Sequence, residues 1–232
     1  MNGIIIIDKP LGRTSHDMVY VMRKMTGIKK VGHTGTLDPE ATGVLPVCIG
    51  SATKVADMLT LSDKCYRAEL VLGMTTDTQD ADGEVLTECE VTCSEDEIRQ
   101  VIMSFVGEIE QIPPMYSAIK QNGKKLYELA RKGIEVERKS RKVTINSIDI
   151  LEINGERVTI DVSCSKGTYI RTLCEDIGMK LHVGAYMNTL RRTKTGPFTI
   201  EESHTLKEIE TLKNNGELEK IIIPVAILFA DY

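Results

Sequence analysis

The stretch Gly32-His33-Thr34-Gly35-Thr36-Leu37-Asp38-Pro39-Glu40-Ala41-Thr42-Gly43 carries three glycines and a proline within twelve residues. This composition predicts an ordered loop, because glycine permits backbone angles closed to other residues and proline fixes its own φ. A residue that precedes proline is driven towards extended geometry, so Asp38 cannot easily lie inside a helix. The apolar run at residues 44–49 has the length of a strand. We therefore expect the Asp38 carboxylate to project from a stiff turn at the start of a buried strand.

An isolated Asp-Pro pair is most often a plain turn that the aspartate side chain closes. Here the whole string, Gly-His-Thr-Gly-x-Leu-Asp-Pro-x-Ala-x-Gly, resembles the catalytic motif of the TruB family of pseudouridine synthases. Enzymes of that family isomerise a uridine in the T-loop of transfer RNA. One departure is Thr36, which stands where a small residue, usually alanine, is expected. This change leaves the carboxylate untouched.

Five further blocks resemble the same family, and they occur between residue 8 and about residue 198. They are Asp8-Lys9-Pro10-x-Gly12-x-Thr14-Ser15, Lys64-Cys65-Tyr66-Arg67-Ala68, Ile112-Pro113-Pro114-Met115-Tyr116-Ser117-Ala118, Ser165-Lys166-Gly167-Thr168-Tyr169-Ile170-Arg171-Thr172-Leu173 and Leu190-Arg191-Arg192-Thr193. Six blocks in the family's order are hard to produce by chance. The chain is therefore identified as a member of the family.

The resemblance implies a catalytic carboxylate, its basic partner and an aromatic ring. Asp38 would act as nucleophile or base, Arg171 would keep the carboxylate ionised and oriented, and Tyr66 would lie against the uracil ring. Taken alone, Arg171 could equally be a surface residue of a helix, and Tyr66 an ordinary buried aromatic.

The resemblance also implies a set of substrate-binding residues. They are His33 as an RNA contact, Tyr66 and Tyr169 flanking the base, Leu190 as a wall of the base pocket, and Lys9 chiefly as support for the site. Without the family pattern, Leu190 would be assigned to the core, and a loop histidine is seldom functional.

Pseudouridine formation breaks the N1–C1′ glycosidic bond, rotates the freed uracil and rejoins it through C5. The reaction needs no redox partner, energy donor or metal, so we expect no cofactor. One carboxylate suffices, either through covalent attack on the ribose or base or through abstraction of a ribose proton. The sequence does not separate these two routes.

Strands arrive as runs and hairpins with helices between them, and no regular βαβ alternation occurs. This pattern predicts an α+β fold with a mostly antiparallel, mixed central sheet, as the resemblance to pseudouridine synthases also implies. We expect one catalytic domain over residues 1–232, with a basic insertion at about 115–142. Family members commonly continue into a C-terminal RNA-binding domain of the PUA type, which we do not expect in this chain.

Local signals predict several individual elements. Residues 3–7 should form a buried strand, and a helix capped by Ser15 should run to about Thr26 and stop at Gly27. Ser94 and Glu97 form a capping box for another helix. A strand is expected at residues 115–120, and residues 142–153 should pair with an alternating strand at 158–164.

The net charge is −5 and the calculated pI is about 5.5, which alone argues against a nucleic-acid binder. The charge is nevertheless sorted along the chain. Residues 77–110 hold eleven acidic side chains and one arginine, whereas residues 117–142 hold nine basic side chains and three acidic ones. Contacts with a polyanion depend on local charge, so we expect the second segment to bind the phosphates of tRNA.

The six cysteines form no Cys-x-x-Cys pair, and the four histidines are too few to complete a typical zinc site with them. No apolar run has the length of a membrane span, and the run at residues 4–7 is too short for a signal peptide. These features predict a cytoplasmic protein that does not bind membranes, and we expect a monomer.

Two other functions remain open at this point. A non-catalytic RNA-binding or RNA-folding protein could use the same groove without chemistry. A hydrolase of small glycosides could use Asp38 as its nucleophile, although such enzymes generally need a second positioned carboxylate, which the motif blocks do not supply.

Overall fold

The computed structural model describes residues 1–229, whose strands and helices follow no regular alternation. The strands are β1 (Gly3–Lys9), β2 (Val31–His33), β3 (Ala41–Ile49), β4 (Lys64–Leu72), β5 (Met74–Thr76), β6 (Val85–Glu88), β7 (Gly107–Gln111), β8 (Lys120–Gln121), β9 (Lys124–Lys125), β10 (Arg141–Asn154), β11 (Arg157–Cys164), β12 (Ala185–Thr195) and β13 (Phe198–Thr199). The α-helices are α1 (Ser15–Thr26), α2 (Ala56–Thr60), α3 (Glu95–Met103), α4 (Leu126–Ala130), α5 (Ile170–Lys180) and α6 (Leu206–Asn214). Most strand pairs are antiparallel, so the predicted α+β class is confirmed.

The chain forms two compact units, and β4 and β12 supply residues to both. The first unit contains Met1–Tyr66 and the chain from Leu190 onwards. The second unit is Arg67–Thr189. That residues 1–232 act as one catalytic domain, with an insertion at about 115–142, stays a prediction.

In the first unit the strand order is β1-β3-β12, with β2 also paired to β3 and β13 paired to β12. Strands β1 and β3 run antiparallel from the pair Gly3 and Ile49 to the pair Lys9 and Gly43. Strands β3 and β12 are parallel, and Leu190 lies opposite Ala41. This register brings the Leu-Arg-Arg block beside the end of the Asp38 motif, about 150 residues away in sequence.

Strand β1 is buried on both faces, which explains its uninterrupted isoleucines. Ile5 and Ile7 pack in a cluster with the buried side chains of α1. Ile4 and Ile6 face a second cluster that includes Phe198. A strand covered on both sides needs apolar residues at every position rather than at alternate ones.

Helix α1 is capped by Thr14, so the prediction that Ser15 caps it was wrong. The Thr14 hydroxyl accepts a hydrogen bond from the Asp17 amide at 3.0 Å, and the Asp17 carboxylate accepts one from the Thr14 amide at 2.7 Å. Ser15 is the first helical residue, and its hydroxyl is engaged elsewhere, as described below. The predicted stop is confirmed, because Gly27 adopts the left-handed conformation with φ of 72°.

In the second unit the strand order is β12-β4-β11-β10-β7. The predicted pairing of β10 with β11 is confirmed, and Val158, Ile160, Val162 and Cys164 are all buried. The capping box at α3 is also confirmed, since the Ser94 amide donates to the Glu97 carboxylate at 2.7 Å.

The predicted strand at residues 115–120 was wrong. The Ser117 amide donates to the carbonyl of Met115 at 2.9 Å, which closes a tight turn. The carbonyls of Ser117 and Ile119 then accept from the first amides of α4, those of Tyr127 and Leu126. The carbonyls of Ser117 and Ile119 therefore bond to the first turn of a helix, and within this segment only Lys120, in β8, pairs with another strand.

Gly178 in α5 packs directly against the start of β12. A Cβ atom at this position would lie 2.2 Å from the amide nitrogen of Ala185 and 2.3 Å from the carbonyl carbon of Gly184. We predict that Gly178→Ala destabilises the protein by about 1–3 kcal/mol, because backbone atoms cannot move aside without shifting the strand. Urea unfolding would measure the change.

Intrinsic helix propensity alone predicts the opposite sign for this substitution, a gain of roughly 1 kcal/mol. Met179→Ala is a matched control, because the side chain next to Gly178 is exposed, and we expect its effect to stay within about 0.5 kcal/mol. A Gly178→Ala protein as stable as wild type would show that α5 and β12 do not touch as described.

Asp176 of α5 is a half-buried carboxyl group whose protonated form is favoured. Burial, reinforced by the negative charge of Glu175, raises its pKa to about 6. The folded pKa is above the ordinary unfolded value, so this group lowers stability as pH rises from about 4 to about 6, and the loss persists above that.

We predict that Asp176→Asn stabilises the protein above pH 6 by on the order of 1 kcal/mol, a value reduced for screening by solvent. The advantage should vanish below about pH 4. Chemical denaturation at several pH values would measure it, with Asp149→Asn on an exposed position of β10 as control. An advantage that does not depend on pH would contradict the assignment to a buried charge.

Candidate active site

Asp38 lies on the loop at residues 34–40, which joins β2 to β3 and is called the Asp38 loop below. Its side chain is exposed, whereas the preceding Leu37 is buried in the core of the first unit. The amide of Ala41 donates to the carbonyl of Asp38 at 3.0 Å, which closes the turn. As predicted from the sequence, a carboxylate projects from a fixed turn at the start of a buried strand.

The hydroxyl of Ser15 holds the base of the Asp38 loop. It donates to the Leu37 carbonyl at 3.0 Å and accepts from the Leu37 amide at 2.8 Å. One side chain thus satisfies both backbone groups of the residue before Asp38. This double contact explains why Ser15 does not cap α1.

Lys9 supports the loop from the other side. Its ammonium group is buried and donates to the carbonyls of Pro10 at 2.9 Å, Arg13 at 2.6 Å and Pro39 at 3.2 Å. Burial lowers the pKa of Lys9, while the negative charges of Asp38 and Glu40 oppose this change. The buried ammonium therefore bonds to the carbonyl of the residue after Asp38, while a role of Lys9 in the active site stays a prediction.

His33 ends β2 immediately before the Asp38 loop and is half-buried. Its pKa is lowered from 6.5, first by burial and then by the positive charges of His16 and Arg192. The imidazole is therefore neutral at physiological pH. Its Nδ1 atom is buried and makes no hydrogen bond within residues 1–229.

Tyr66 and Leu190 are partly buried and pack against the cluster that contains Leu37 and Ala41. In the first unit, Lys9 therefore bonds to the Asp38 loop, and Tyr66 and Leu190 pack against the apolar cluster into which the loop inserts Leu37.

Tyr169 and Arg171 belong to the second unit, where they lie at the start of α5. The Gln111 side chain accepts from the Tyr169 amide at 3.0 Å and donates to the Tyr169 carbonyl at 3.1 Å. The guanidinium of Arg171 is buried, pairs with the Asp80 carboxylate at 3.3 Å and donates to the Tyr116 carbonyl at 2.9 Å. The pairing of Arg171 with Asp38, and the approach of Tyr169 to the base, stay predictions.

Sequence reasoning missed Asp80 and its neighbour Gln79. The loop at residues 77–84 crosses α5, where Thr172 donates to the Gln79 side chain at 2.9 Å and Gln79 donates to Glu175. The sequence signal at this place is the acidic string Asp77-Thr78-Gln79-Asp80-Ala81-Asp82. Nothing in that string shows which of its carboxylates meets Arg171.

The basic segment at residues 117–142 is largely exposed. Two of its nine cations form ion pairs, Arg138 with Glu135 at 3.1 Å and Lys142 with Glu108 at 2.8 Å. A cavity of about 380 Å³ opens among its residues and is lined by the side chains of Lys120, Arg138, Lys139 and Arg141. Most of its positive charge is therefore available to an external anion.

Within residues 1–229, no three side chains of His, Cys, Asp or Glu are grouped so as to hold a metal ion. In the same range, no helix is both long and apolar enough to span a bilayer.

Two family models match the chain from residue 23 to residue 230. Residues 23–170 match the TruB family pseudouridylate synthase N-terminal domain, and residues 171–230 match the tRNA pseudouridylate synthase B C-terminal domain.

Curated relatives agree with this match. The tRNA pseudouridine synthase B of Alkaliphilus oremlandii is 57% identical over 97% of this chain and 74% of its own length. That of Clostridium tetani is 53% identical over 100% of this chain and 79% of its own length.

Among solved structures, a Cbf5-Nop10-Gar1 complex contains a chain that superposes with a TM-score of 0.75 at 37% identity, over 96% of this chain. This chain spans 60% of that protein's length. The fold is therefore that of the pseudouridine synthases. From the two family matches and these identities, we conclude that the chain belongs to the TruB family of pseudouridylate synthases.

Proposed function

We propose that this protein converts the T-loop uridine of tRNA, position 55, to pseudouridine, with Asp38 as the nucleophile or base. The observation that carries the proposal is the exposed Asp38 carboxylate on a loop whose neighbouring backbone is fixed by Ser15 and Lys9. The activity named for relatives up to 57% identical supports the substrate.

The reaction is an isomerisation whose atoms balance without a co-reactant. The N1–C1′ bond breaks, the uracil turns, and a C5–C1′ bond forms. The hydrogen on C5 leaves as a proton, and N1 gains one. In one route Asp38 bonds covalently to the ribose or base and is released when the C5–C1′ bond has formed, and in the other it removes a ribose proton and later returns it.

The target base lies in a folded loop and must be extruded before it can react, which costs a few kcal/mol. Stacking on an aromatic ring returns roughly 1–3 kcal/mol, and Tyr66 is the ring that we assign to this contact. Leu190 would wall the base pocket, and Tyr169 would flank the base. His33 is neutral, so it would contact RNA by stacking and hydrogen bonding rather than by attracting a phosphate.

Arg171 would orient the Asp38 carboxylate. A guanidinium suits this task because it stays charged at any physiological pH and forms hydrogen bonds in a rigid plane. The contacts of Arg171 with Asp80 and with the Tyr116 carbonyl limit its rotation. Asp80 then acts through Arg171 as a positioning residue.

We assign the phosphate contacts to the basic segment at residues 117–142, whose cations are mostly exposed. We further propose that the protein acts as a monomer in the cytoplasm. Its cysteines, all of them free thiols, agree with a reducing compartment.

Replacement of Asp38 by asparagine tests the catalytic assignment. The change keeps the shape of the side chain and removes its charge, so we predict a fall in rate of at least ~10³-fold. Loss of the C5 hydrogen allows the assay to follow tritium release from a T-arm stem–loop labelled at uridine C5. Binding of the stem–loop should change by less than about threefold, because an exposed carboxylate contributes little to RNA affinity.

Glu40→Gln is the matched control, since it removes an equally exposed carboxylate two residues away. Its rate should stay within about threefold of wild type. Product formed by the Asp38→Asn protein at a wild-type rate would exclude Asp38 as nucleophile or base. A wild-type protein that binds the stem–loop but releases no tritium would instead support an RNA-binding protein without chemistry.

The basic segment makes a prediction about salt. We expect the substitutions Lys124→Gln, Arg131→Gln, Lys132→Gln and Lys139→Gln together to reduce the slope of log K against log salt by about 3, if each cation meets one phosphate. Filter binding of the stem–loop at several salt concentrations would measure the slope.

Four exposed lysines of the first unit, Lys24, Lys207, Lys213 and Lys220, provide a control with the same loss of charge. Their replacement should leave the slope nearly unchanged. Equal slopes for wild type and the basic-segment variant would place the phosphate contacts elsewhere.

A further inference from the structure

The Leu-Arg-Arg block of β12 pairs with the last three residues of the Asp38 motif. Leu190, Arg191 and Arg192 lie opposite Ala41, Thr42 and Gly43 in a parallel register. At Gly43 the strands are so close that a Cβ atom would lie 2.1 Å from the carbonyl oxygen of Arg192. Gly43 also has φ of 106°, so only glycine fits at this position of β3.

The side chain of Arg192 passes beneath the Asp38 loop. It is 1% exposed, which makes it one of the largest fully buried side chains within residues 1–229. Its Nε donates to the carbonyl of Val44 in β3 at 2.8 Å. Its Nη2 donates to the carbonyl of Gly35 at 3.3 Å. One guanidinium therefore joins the entry of the loop to the strand that follows it.

Only an arginine can make this bridge. Its donors lie in one rigid plane and point in different directions, whereas a lysine offers a single nitrogen on a flexible stem. A buried cation is tolerated only where acceptors surround it. If the loop opened, the Gly35 carbonyl would withdraw and the charge would lose an acceptor, so opening of the loop is opposed.

We propose that Arg192 is a positioning residue for Asp38, because its buried guanidinium closes the neck of the Asp38 loop and fixes the height of the carboxylate above the core. This role rests on the proposed function of Asp38. Arg192 does not touch the substrate, and it acts through the loop backbone.

Arg192→Lys and Arg192→Met test the proposal by steady-state tritium release from the T-arm stem–loop. A misplaced reactive group can lower the rate of chemistry about 10²-fold without loss of binding. We expect kcat to fall by a factor on the order of 10² for both variants, while KM changes by less than about threefold. Lysine keeps the charge but cannot bond to both carbonyls, so the kcat of Arg192→Lys should exceed that of Arg192→Met by less than tenfold.

Arg23→Met is the matched control. Arg23 donates to the Val31 carbonyl of β2 at 3.2 Å, so it also bonds one backbone oxygen of the first unit, but away from the loop. Its kcat should stay within about threefold of wild type. The proposal is overturned if Arg192→Lys restores wild-type kcat, or if the variants raise KM with kcat unchanged.

Amide hydrogen exchange tests the Arg192 bridge without an assay of enzyme activity. The amides of Leu37 and Ala41 should be protected in wild type, since both are hydrogen-bonded in the loop. In Arg192→Lys they should exchange at least tenfold faster, while amides of the β10–β11 pair keep their rates.

Unchanged exchange of Leu37 and Ala41 in Arg192→Lys would refute the bridge even if the enzyme proved inactive on tRNA. Conversely, faster exchange at these two amides, together with a wild-type protein that forms no pseudouridine, would retain the bridge and reject the proposed function. The two ideas therefore fail separately.

Discussion

Backbone carbonyl groups of the Asp38 loop and its flanking strand turn inward to meet two buried cations. The ammonium of Lys9 binds the carbonyl of Pro39, and the guanidinium of Arg192 binds those of Gly35 and Val44. A buried charge deprived of its acceptors costs several times what a surface contact contributes. Opening the loop would therefore leave buried charges without acceptors, so the conformation of the loop is coupled to the stability of the core.

Each of the two units contains a charged side chain whose surroundings are fixed by hydrogen bonds. In the first, the exposed Asp38 carboxylate stands on a loop whose backbone groups are bonded by Ser15 and Lys9. In the second, the guanidinium of Arg171 stands at the start of α5 with Asp80 and the Tyr116 carbonyl as partners. In both units a charged side chain is held where hydrogen bonds fix its surroundings. Holding a reacting group in a fixed geometry can by itself lower a barrier by several kcal/mol.

Local signals in the sequence were enough for much of this architecture. The Gly-rich Asp-Pro string predicted a rigid turn, the alternating residues from Val158 to Cys164 predicted β11, and Ser94 with Glu97 predicted the start of α3. In each case the stabilising contacts lie within a few residues of one another, so composition and spacing record them.

Contacts between distant residues left no comparable signal. Ser15 looks like a helix cap from its neighbours, yet Leu37, 22 residues away, recruits its hydroxyl. The segment at residues 115–120 was predicted to be a strand, yet the amides at the start of α4 bond to the carbonyls of Ser117 and Ile119. The Asp80–Arg171 pair spans 91 residues, and the acidic string around Asp80 offers several equivalent carboxylates. Pattern alone cannot choose among partners that only the folded chain brings together.

The register of β12 against β3 explains why three sequence blocks that are distant along the chain lie together. They are the Asp-Lys-Pro, Asp38 and Leu-Arg-Arg blocks. Because Leu190 lies beside Ala41, the next two residues are forced to lie along Thr42 and Gly43. Arg191 then meets Asp8 at 2.8 Å, and Asp8 directly precedes Lys9 in β1. The Asp-Lys-Pro, Asp38 and Leu-Arg-Arg blocks are thus three sides of a single support. Loss of the Lys9 or Arg192 contacts therefore acts on the backbone of the Asp38 loop from residues that lie outside the Asp38 block.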